Sequence, residues 1–456
     1  MDVTHVAEVI TPTQFWMGCG IFVVALVAIV SEKIEKTKVA LFGAMMVVIS
    51  GINTQKEVFH FEELGVDWNV IFLLIGMMVI INLMRPTGVF EYVAVKGAKI
   101  GKGRPLPIML IFATITAISS ALLDNVTTVL LLAPVTLLIA DALEIDPIPF
   151  LIVEALASNI GGTATLIGDP PNIMIASKAN LDFMDFIINL APIVVFMTIV
   201  CLLITKIFFK GKLTAEDKNI AKVMSMDEKE AIQDPLMLKK SLAVLSLVLT
   251  GFIFHSKLHF EPATVALSGA ALLLLISSKV KTAKDVHHVL AEVEWPVIFF
   301  FIGLFIMVGG LVKVGAIEMV SQKMIALTDG NLFATSMILM WFSAIASAIV
   351  DNIPYVATIN PLIIDMAKEL WPNLSGNELL HHPDLMPVWW SVALGACLGG
   401  NGSPIGASAN VIVFGMAEKA GHKIGWGQFL SYGIRVTFWT VSMSTLYVCL
   451  RYYTFA

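Results

Sequence analysis

The sequence predicts an all-α polytopic membrane protein made of two repeats of inverted topology, and three observations carry that prediction. Hydrophobic residues make up 57% of the chain and charged residues 14%, against about 25% charged in an average soluble domain. The apolar residues gather in runs that approach the roughly 20 residues needed for a helix to cross a bilayer. Second, Leu123-Asp124-Asn125-Val126-Thr127-Thr128 returns as Val350-Asp351-Asn352-Ile353-Pro354-Tyr355, 227 residues later. Trp68 and Trp295, Gly76 and Gly303, Gly88 and Gly315, Glu91 and Glu318, Ser120 and Ser347, Pro134 and Pro361 keep that offset. This is an internal duplication. Third, each half holds an odd number of crossings plus one two-armed element, so the second half runs upside down relative to the first.

In chain order, apolar runs at 14–31, 38–52 and 68–85 lead to a basic loop with Lys96, Lys99, Lys102 and Arg104. Two apolar arms around Asp124 occupy 106–141. The run at 148–178 is interrupted from Gly161 to Asn172, and 185–209 closes the first repeat, taken as 1–209. The hydrophilic stretch 210–240, with its Asp234-Pro235 break, is a linker. The second repeat, 241–456, offers runs at 241–256, 262–278 and 296–312, arms at 331–367, and runs at 388–418 and 427–449. Its interruption, Gly399 to Asn410, stands 238 residues after the first, so extra residues entered between the motifs, at about 373–387.

Basic residues favour the cytoplasmic side. One threading puts Lys33 and Lys36, the 96–104 cluster, the linker, Lys279–Lys284 and Lys419–Lys423 there, with both termini outside; Lys323 and Lys368 vote against it. No basic segment precedes the run from Phe15 to Val30, which reads as a retained helix and not a signal peptide. Cys19, Cys201, Cys397 and Cys449 show neither disulfide nor metal-ligand spacing. Whether the arms around each Asp cross fully or dip in as a hairpin is left open by parity.

An Asp at the centre of a spanning helix costs about 2.5–3.5 kcal/mol on insertion scales, so two at equivalent positions need a reason. Asp124 and Asp351 suit helix N-caps, and a helix that starts inside the membrane also points free N–H groups and a positive dipole end into a cavity. Gly161, Gly162, Gly168, Pro170 and Pro171, like Gly399, Gly400, Gly402, Pro404 and Gly406, break their helices. Broken backbone at membrane depth belongs inside protein or beside a wet cavity. Small-residue helix packing explains the glycines but not the neighbouring hydroxyls and amides. The expected solute-binding groups are Asn125, Thr127, Thr128, Gly162, Thr163, Thr165, Asn352, Gly400, Asn401 and Ser403. The expected coupling-ion groups are Asp124, Asp169, Asn172, Asp351 and Asn410. No Lys or Arg stands within either motif, which suits a monoanion, a neutral oxyacid, or an anion carried with a cation. Gly399–Gly406 lacks the Gly-Lys-Ser/Thr of a phosphate loop. His287-His288 and His381-His382 read as surface pairs, and Glu154 as a proton carrier or a hydrogen-bonded structural acid.

Together, Leu-Asp-Asn-Val-Thr-Thr and Asn-Ile-Gly-Gly-Thr-Ala-Thr-Leu-Ile-Gly-Asp-Pro-Pro-Asn resemble the ion transporter superfamily. Within it the chain is similar to the group holding ArsB arsenite permeases, NhaD sodium/proton antiporters and the melanosomal P protein. Pro170-Pro171 stands where the NhaD pattern has a Thr pair. The resemblance implies re-entrant hairpins at both Asp motifs and an elevator-type motion against a homodimeric scaffold that includes 38–85 and 262–312. It also implies a secondary transporter, not an enzyme, in a prokaryotic plasma membrane. The expected cargo is a small anion or arsenite-like oxyanion, driven by H+ or Na+, with no other cofactor and no nucleic-acid partner. An arsenite-type carrier would add a separate ATPase subunit. Sodium/proton antiport and passive anion conduction are the competing functions.

Overall fold

The computed structural model describes residues 11–61 and 63–454; the expected external position of Val3 lies outside them. The first half runs α1 (Pro12–Val30), α2 (Lys36–Ile49), α3 (Gln55–His60), α4 (Trp68–Met84), α5 (Val89–Ile100), α6 (Pro105–Leu122), α7 (Asn125–Leu143), α8 (Ile148–Gly162), α9 (Pro170–Ala179), α10 (Phe183–Asn189) and α11 (Ala191–Phe209). After α12 (Asp217–Met224) come α13 (Pro235–Phe254), α14 (Pro262–Ile276), α15 (Ala283–Ala291), α16 (Trp295–Lys313), α17 (Ala316–Thr328), α18 (Leu332–Ile349), α19 (Asn352–Leu370), α20 (Gly376–Leu380), α21 (Met386–Gly399), α22 (Ser408–Lys419) and α23 (Trp426–Val448). Among the described residues, eight helices are long and apolar enough to cross a membrane. Helix α13 begins at Pro235, inside the stretch expected to link the halves.

The duplication is visible in local detail. Gly88 and Gly315 both take a left-handed backbone, φ 80° and 77°, where each chain turns into α5 or α17; only glycine adopts that conformation without strain. Trp68 Nε1 donates to Phe59 O and Trp295 Nε1 to Leu290 O. Helices α7 and α19 each carry a proline in the interior, Pro134 and Pro361.

Two bodies of helices hold the site between them. In one, α2 packs on α16 while its copy α14 packs on α4, so each repeat completes the other's scaffold. Gly303 lets α16 approach the backbone of Ala40, and Gly76 does the same for α4 at Ala266. In the other, α6 packs on α8 and α18 on α21, while α7 reaches across to α22 and α19 to α9. Helix α21 is buried along nearly its whole length, including Trp389 and Trp390. By contrast Val23, Val24 and Val27 of α1, Ile199, Leu203 and Ile207 of α11, and Phe438 and Trp439 of α23 are exposed. Those apolar faces are where lipid would stand.

Candidate functional site

Helices α8 and α9 are two halves of one broken element, as are α21 and α22. Proline at the first turn of α9 needs no N–H there, and Gly162 and Gly168 pack against each other across the break. The unwound carbonyls are held by one amide per repeat. Asn172 Nδ2 donates to the carbonyls of Gly162, Thr163 and Thr165 at 3.4, 3.2 and 2.9 Å. Asn410 Nδ2 donates to those of Gly400 and Ser403 at 2.8 and 2.9 Å.

The tip of each two-armed element meets its repeat's break. Asn125 N donates to Gly168 O at 3.1 Å. Ser120 Oγ donates to Ser158 O at 2.7 Å, and its copy Ser347 Oγ to Ala396 O at 2.6 Å. Thr165 Oγ1 reaches Ala121 O at 2.6 Å and Ser403 Oγ reaches Ala348 O at 2.5 Å. Since the breaks lie midway along a crossing, the tips turn back at that depth: the arms α6–α7 and α18–α19 are re-entrant hairpins. Asp124 caps α7, accepting from Thr127 N at 2.8 Å and Thr127 Oγ1 at 2.5 Å. Asp351 caps α19 through Ile353 N at 3.2 Å.

From the tips, polar contacts pass between repeats. Asn125 Nδ2 donates to Asn159 Oδ1 at 3.1 Å, and Asn159 Nδ2 to Asn401 Oδ1 at 2.9 Å and Asn410 Oδ1 at 3.0 Å. On the other side of the pseudo-axis, Asn352 Nδ2 donates to Asp169 at 3.2 and 3.4 Å, and Cys397 Sγ to Asn172 Oδ1 at 3.4 Å. Asp169 makes no cap for α9 and is fully buried.

A cavity of about 450 Å³ reaches both tips from the face that carries the α1–α2 loop and the start of α16. Asp124, Asn125, Asp169, Asp351 and Asn352 line it. The other expected site residues do not. Thr127, Thr165 and Ser403 spend their hydroxyls on the contacts above, and Thr163 Oγ1 bonds Asn159 O at 2.8 Å. Gly162 and Gly400 close the breaks, Asn172, Asn401 and Asn410 brace them, and Thr128 Oγ1 is buried with no partner. Sequence reasoning missed Asn159, whose copy at the 238 offset is Cys397. It also missed Ser408 and Lys36. Lys36, expected in a loop, opens α2 and places Nζ 2.7 Å from Asp351 Oδ2 and 2.9 Å from Ser408 Oγ. The absence of basic residues from the motifs therefore does not extend to the site. Glu154 takes Thr136 Oγ1 at 2.5 Å and keeps Oε2 without a partner. Of the histidine pairs, His381 Nε2 docks on Ala179 O at 3.0 Å and His382 stacks on Trp371.

A second cavity, about 750 Å³, opens on the opposite face and is lined by Asn69, Ser177, Asp185, His259, Glu261 and His381. It stops short of both tips. There Asp67, capping α4, accepts Ser177 Oγ at 2.7 Å and lies 3.9 Å from Lys178 Nζ. Its copy Glu294 lines the first cavity instead. The molecule thus faces one way.

Comparison with known proteins agrees with this architecture. The chain is 46% identical over 433 residues to an uncharacterized transporter of Mycobacterium tuberculosis, covering 95% of this chain and 97% of that one. It is 29% identical to the human P protein over 520 residues, spanning 96% of this chain and 60% of the relative. Two solved transporters share the fold: Neisseria gonorrhoeae MtrF (TM-score 0.59, 12% identity, 99% and 97% of the chains covered) and Alcanivorax borkumensis YdaH (0.57, 13%, 96% and 98%). The sequence model of the citrate transporter family, CitMHS, matches residues 26–395. The chain belongs to that family and is an integral membrane transporter.

Proposed function

We propose that this transporter is a secondary active carrier that moves a small anion together with a cation, driven by a proton or sodium gradient. One observation carries the reading. The cavity that reaches both hairpin tips is lined by six carboxyl-bearing residues, Glu32, Glu35, Glu294, Asp124, Asp169 and Asp351, against the single cation of Lys36 among the described residues. Two like unit charges 4 Å apart repel by about 4 kcal/mol at an effective dielectric of 20, so a bare anion is repelled there and one accompanied by a cation is not. Asp169, buried with an amide and a thiol for neighbours, is suited to hold that cation or a proton. The family description favours a carboxylate over arsenite as cargo. One cavity that reaches both tips, with a counterpart on the other face that stops short of them, suits an elevator-type exchange between two repeats. The cavity would be the cytoplasmic one under the basic-residue threading.

The acid-rich lining also favours the second reading, sodium/proton antiport. Proteoliposomes with imposed proton and sodium gradients decide between them, using a panel of acetate, succinate, citrate, phosphate and arsenite. Cation-stimulated uptake of a panel anion is the expected result. Full-rate sodium-for-proton exchange with no panel anion present would replace the anion reading.

A further inference from the structure

Resting on that reading of an anion carried with a cation, we infer that Lys36 is the residue that receives the anionic group of the substrate, and that Asp351 occupies it until a cation neutralises this carboxylate. The argument starts from a difference between the two hairpin tips. Asp124 is satisfied within its own helix by the N–H and hydroxyl of Thr127. The copy of Thr127 is Pro354, which has neither donor. Asp351 keeps one bond in its own helix, from Ile353 N, and takes two from elsewhere: Lys36 Nζ at 2.7 Å and Ser408 Oγ at 2.9 Å. The copies of Lys36 and Ser408 are Ala263 and Pro170. Three replacements at one place have turned a self-contained cap into an ion pair that spans scaffold and hairpin.

Capping alone does not require this pair, since the first repeat caps the same turn without it. The pair does give the cavity a positive charge that can be exposed or hidden. Lys36 is part-exposed, with Nζ 4.9 Å from the centroid of the Phe300 ring, while Asp351 is nearly covered. The other charged groups facing the cavity are Glu32 and Glu35 beside α2, Glu294 at α16, Asp124 at α7 and Asp169 at α9; all carry or can carry negative charge. With Asp351 ionised, an incoming carboxylate competes with a fixed partner and meets net repulsion. With Asp351 neutralised by a proton or a metal cation, Nζ is released and becomes the local attraction. Cation and anion binding then reinforce each other, and the reinforcement is reciprocal. The order is cation first and anion second.

The test uses the purified full chain, with citrate as the probe anion and Na+, Mg2+ and pH varied one at a time to separate the cation sources. Wild type should bind citrate at least tenfold more tightly once the effective cation is present. Asp351→Asn keeps a capping oxygen and loses the charge; it should bind citrate without the cation as tightly as wild type does with it. Lys36→Gln should lose at least tenfold in citrate affinity while cation-induced thermal stabilisation persists, Lys36→Arg should recover most of the affinity, and the double variant Lys36→Gln/Asp351→Asn should behave like Lys36→Gln. Citrate binding by Lys36→Gln at wild-type affinity overturns the proposal, as does a cation enhancement that survives in Asp351→Asn. So does wild-type affinity in the double variant, which marks the pair as structural only. If Lys36→Gln does not fold, the cation dependence of citrate binding by Asp351→Asn decides. Wild type that transports a panel anion while these variants bind it normally removes the Lys36 role alone; wild type that neither binds nor moves any panel anion removes the parent reading with it.

Discussion

Asn159 is the residue on which the two repeats converge. Its Oδ1 accepts Asn125 from a hairpin tip, and its Nδ2 donates to Asn401 and Asn410 from the opposite break. A buried polar group left without a partner costs about 1–3 kcal/mol, and Asn159→Ala strands three. The expected outcome is a lower thermal unfolding temperature in detergent together with a loss of solute-stimulated flux. Asn401→Ala removes a single acceptor from Asn159 and a long bond to Leu156 O at 3.4 Å. Since Asn401 braces the break and does not line the cavity, its loss should lower the thermal unfolding temperature by less than Asn159→Ala does, and leave any sodium-dependent proton movement in proteoliposomes largely intact. Asp124→Asn and Asp351→Asn preserve a capping oxygen but cannot titrate or carry charge. Both should insert and fold yet lose gradient-driven transport; normal transport by both would reduce these acids to caps.

At the scale of elements, the breaks depend on backbone contact that only glycine permits. A Cβ on Gly161 would enter the backbone of Ala117, and one on Gly399 would meet Ala344 O at 2.5 Å. Neither neighbour is a side chain that can move aside, so Gly161→Ala and Gly399→Ala should force each hairpin off its helix and sharply lower the yield of folded protein. Gly427→Ala, on an open part of α23 with nothing within 4 Å, should be neutral in the same size-exclusion and thermal assays. The hydrophilic stretch between repeats docks under α7 and α5, with Asn219 Nδ2 on Leu143 O at 3.2 Å and Lys99 Nζ on Glu228 at 2.6 Å. Basic residues favour the cytoplasmic side, and the proposed orientation puts this stretch there. A cysteine at Ser225 should therefore resist an impermeant thiol reagent in intact cells and react after permeabilisation. Labelling in intact cells would invert the proposed orientation.

For the whole molecule, two cavities on opposite faces differ in depth: one reaches both hairpin tips and the other stops short of them. Asp67 holds Ser177 and approaches Lys178 beside the shallower cavity, while its copy Glu294 lines the deeper one, and Gly415 and Met416 occupy the positions of Ser177 and Lys178. Under the proposed elevator-type exchange, the Asp67 contacts break when access passes to the other face. In a background without the native cysteines, Asp67→Cys paired with Ser177→Cys should form a disulfide under oxidation that arrests transport, and reductant should restore it. Oxidised protein that transports at the full rate would show that this face does not open in the cycle.

The apolar runs, the two-armed elements, the two broken helices and the duplication were legible in the chain, because each leaves a local mark; that the arms turn back as hairpins came only with the resemblance, and the packing of each repeat's scaffold on the other only with the structure. Apolar runs set the spans, a mid-membrane Asp-Asn pair marks a helix start, and Gly-Pro clusters mark where a helix cannot continue. The offsets of 227 and 238 tie these marks into two copies. Which polar groups face the cavity was not legible. Thr165 and Ser403 look the same in sequence whether they line a cavity or pin a hairpin; only the position of the neighbouring backbone decides, and it sends them to the carbonyls of Ala121 and Ala348. Lys36 lies 315 residues from Asp351, and Asn159 lies 242 from Asn401. Such pairs exist only because the repeats interlock, placing a residue of one copy against the tip or the break of the other. The motifs determined what kind of molecule this is, and the packing of the two copies decided which side chains share its cavity.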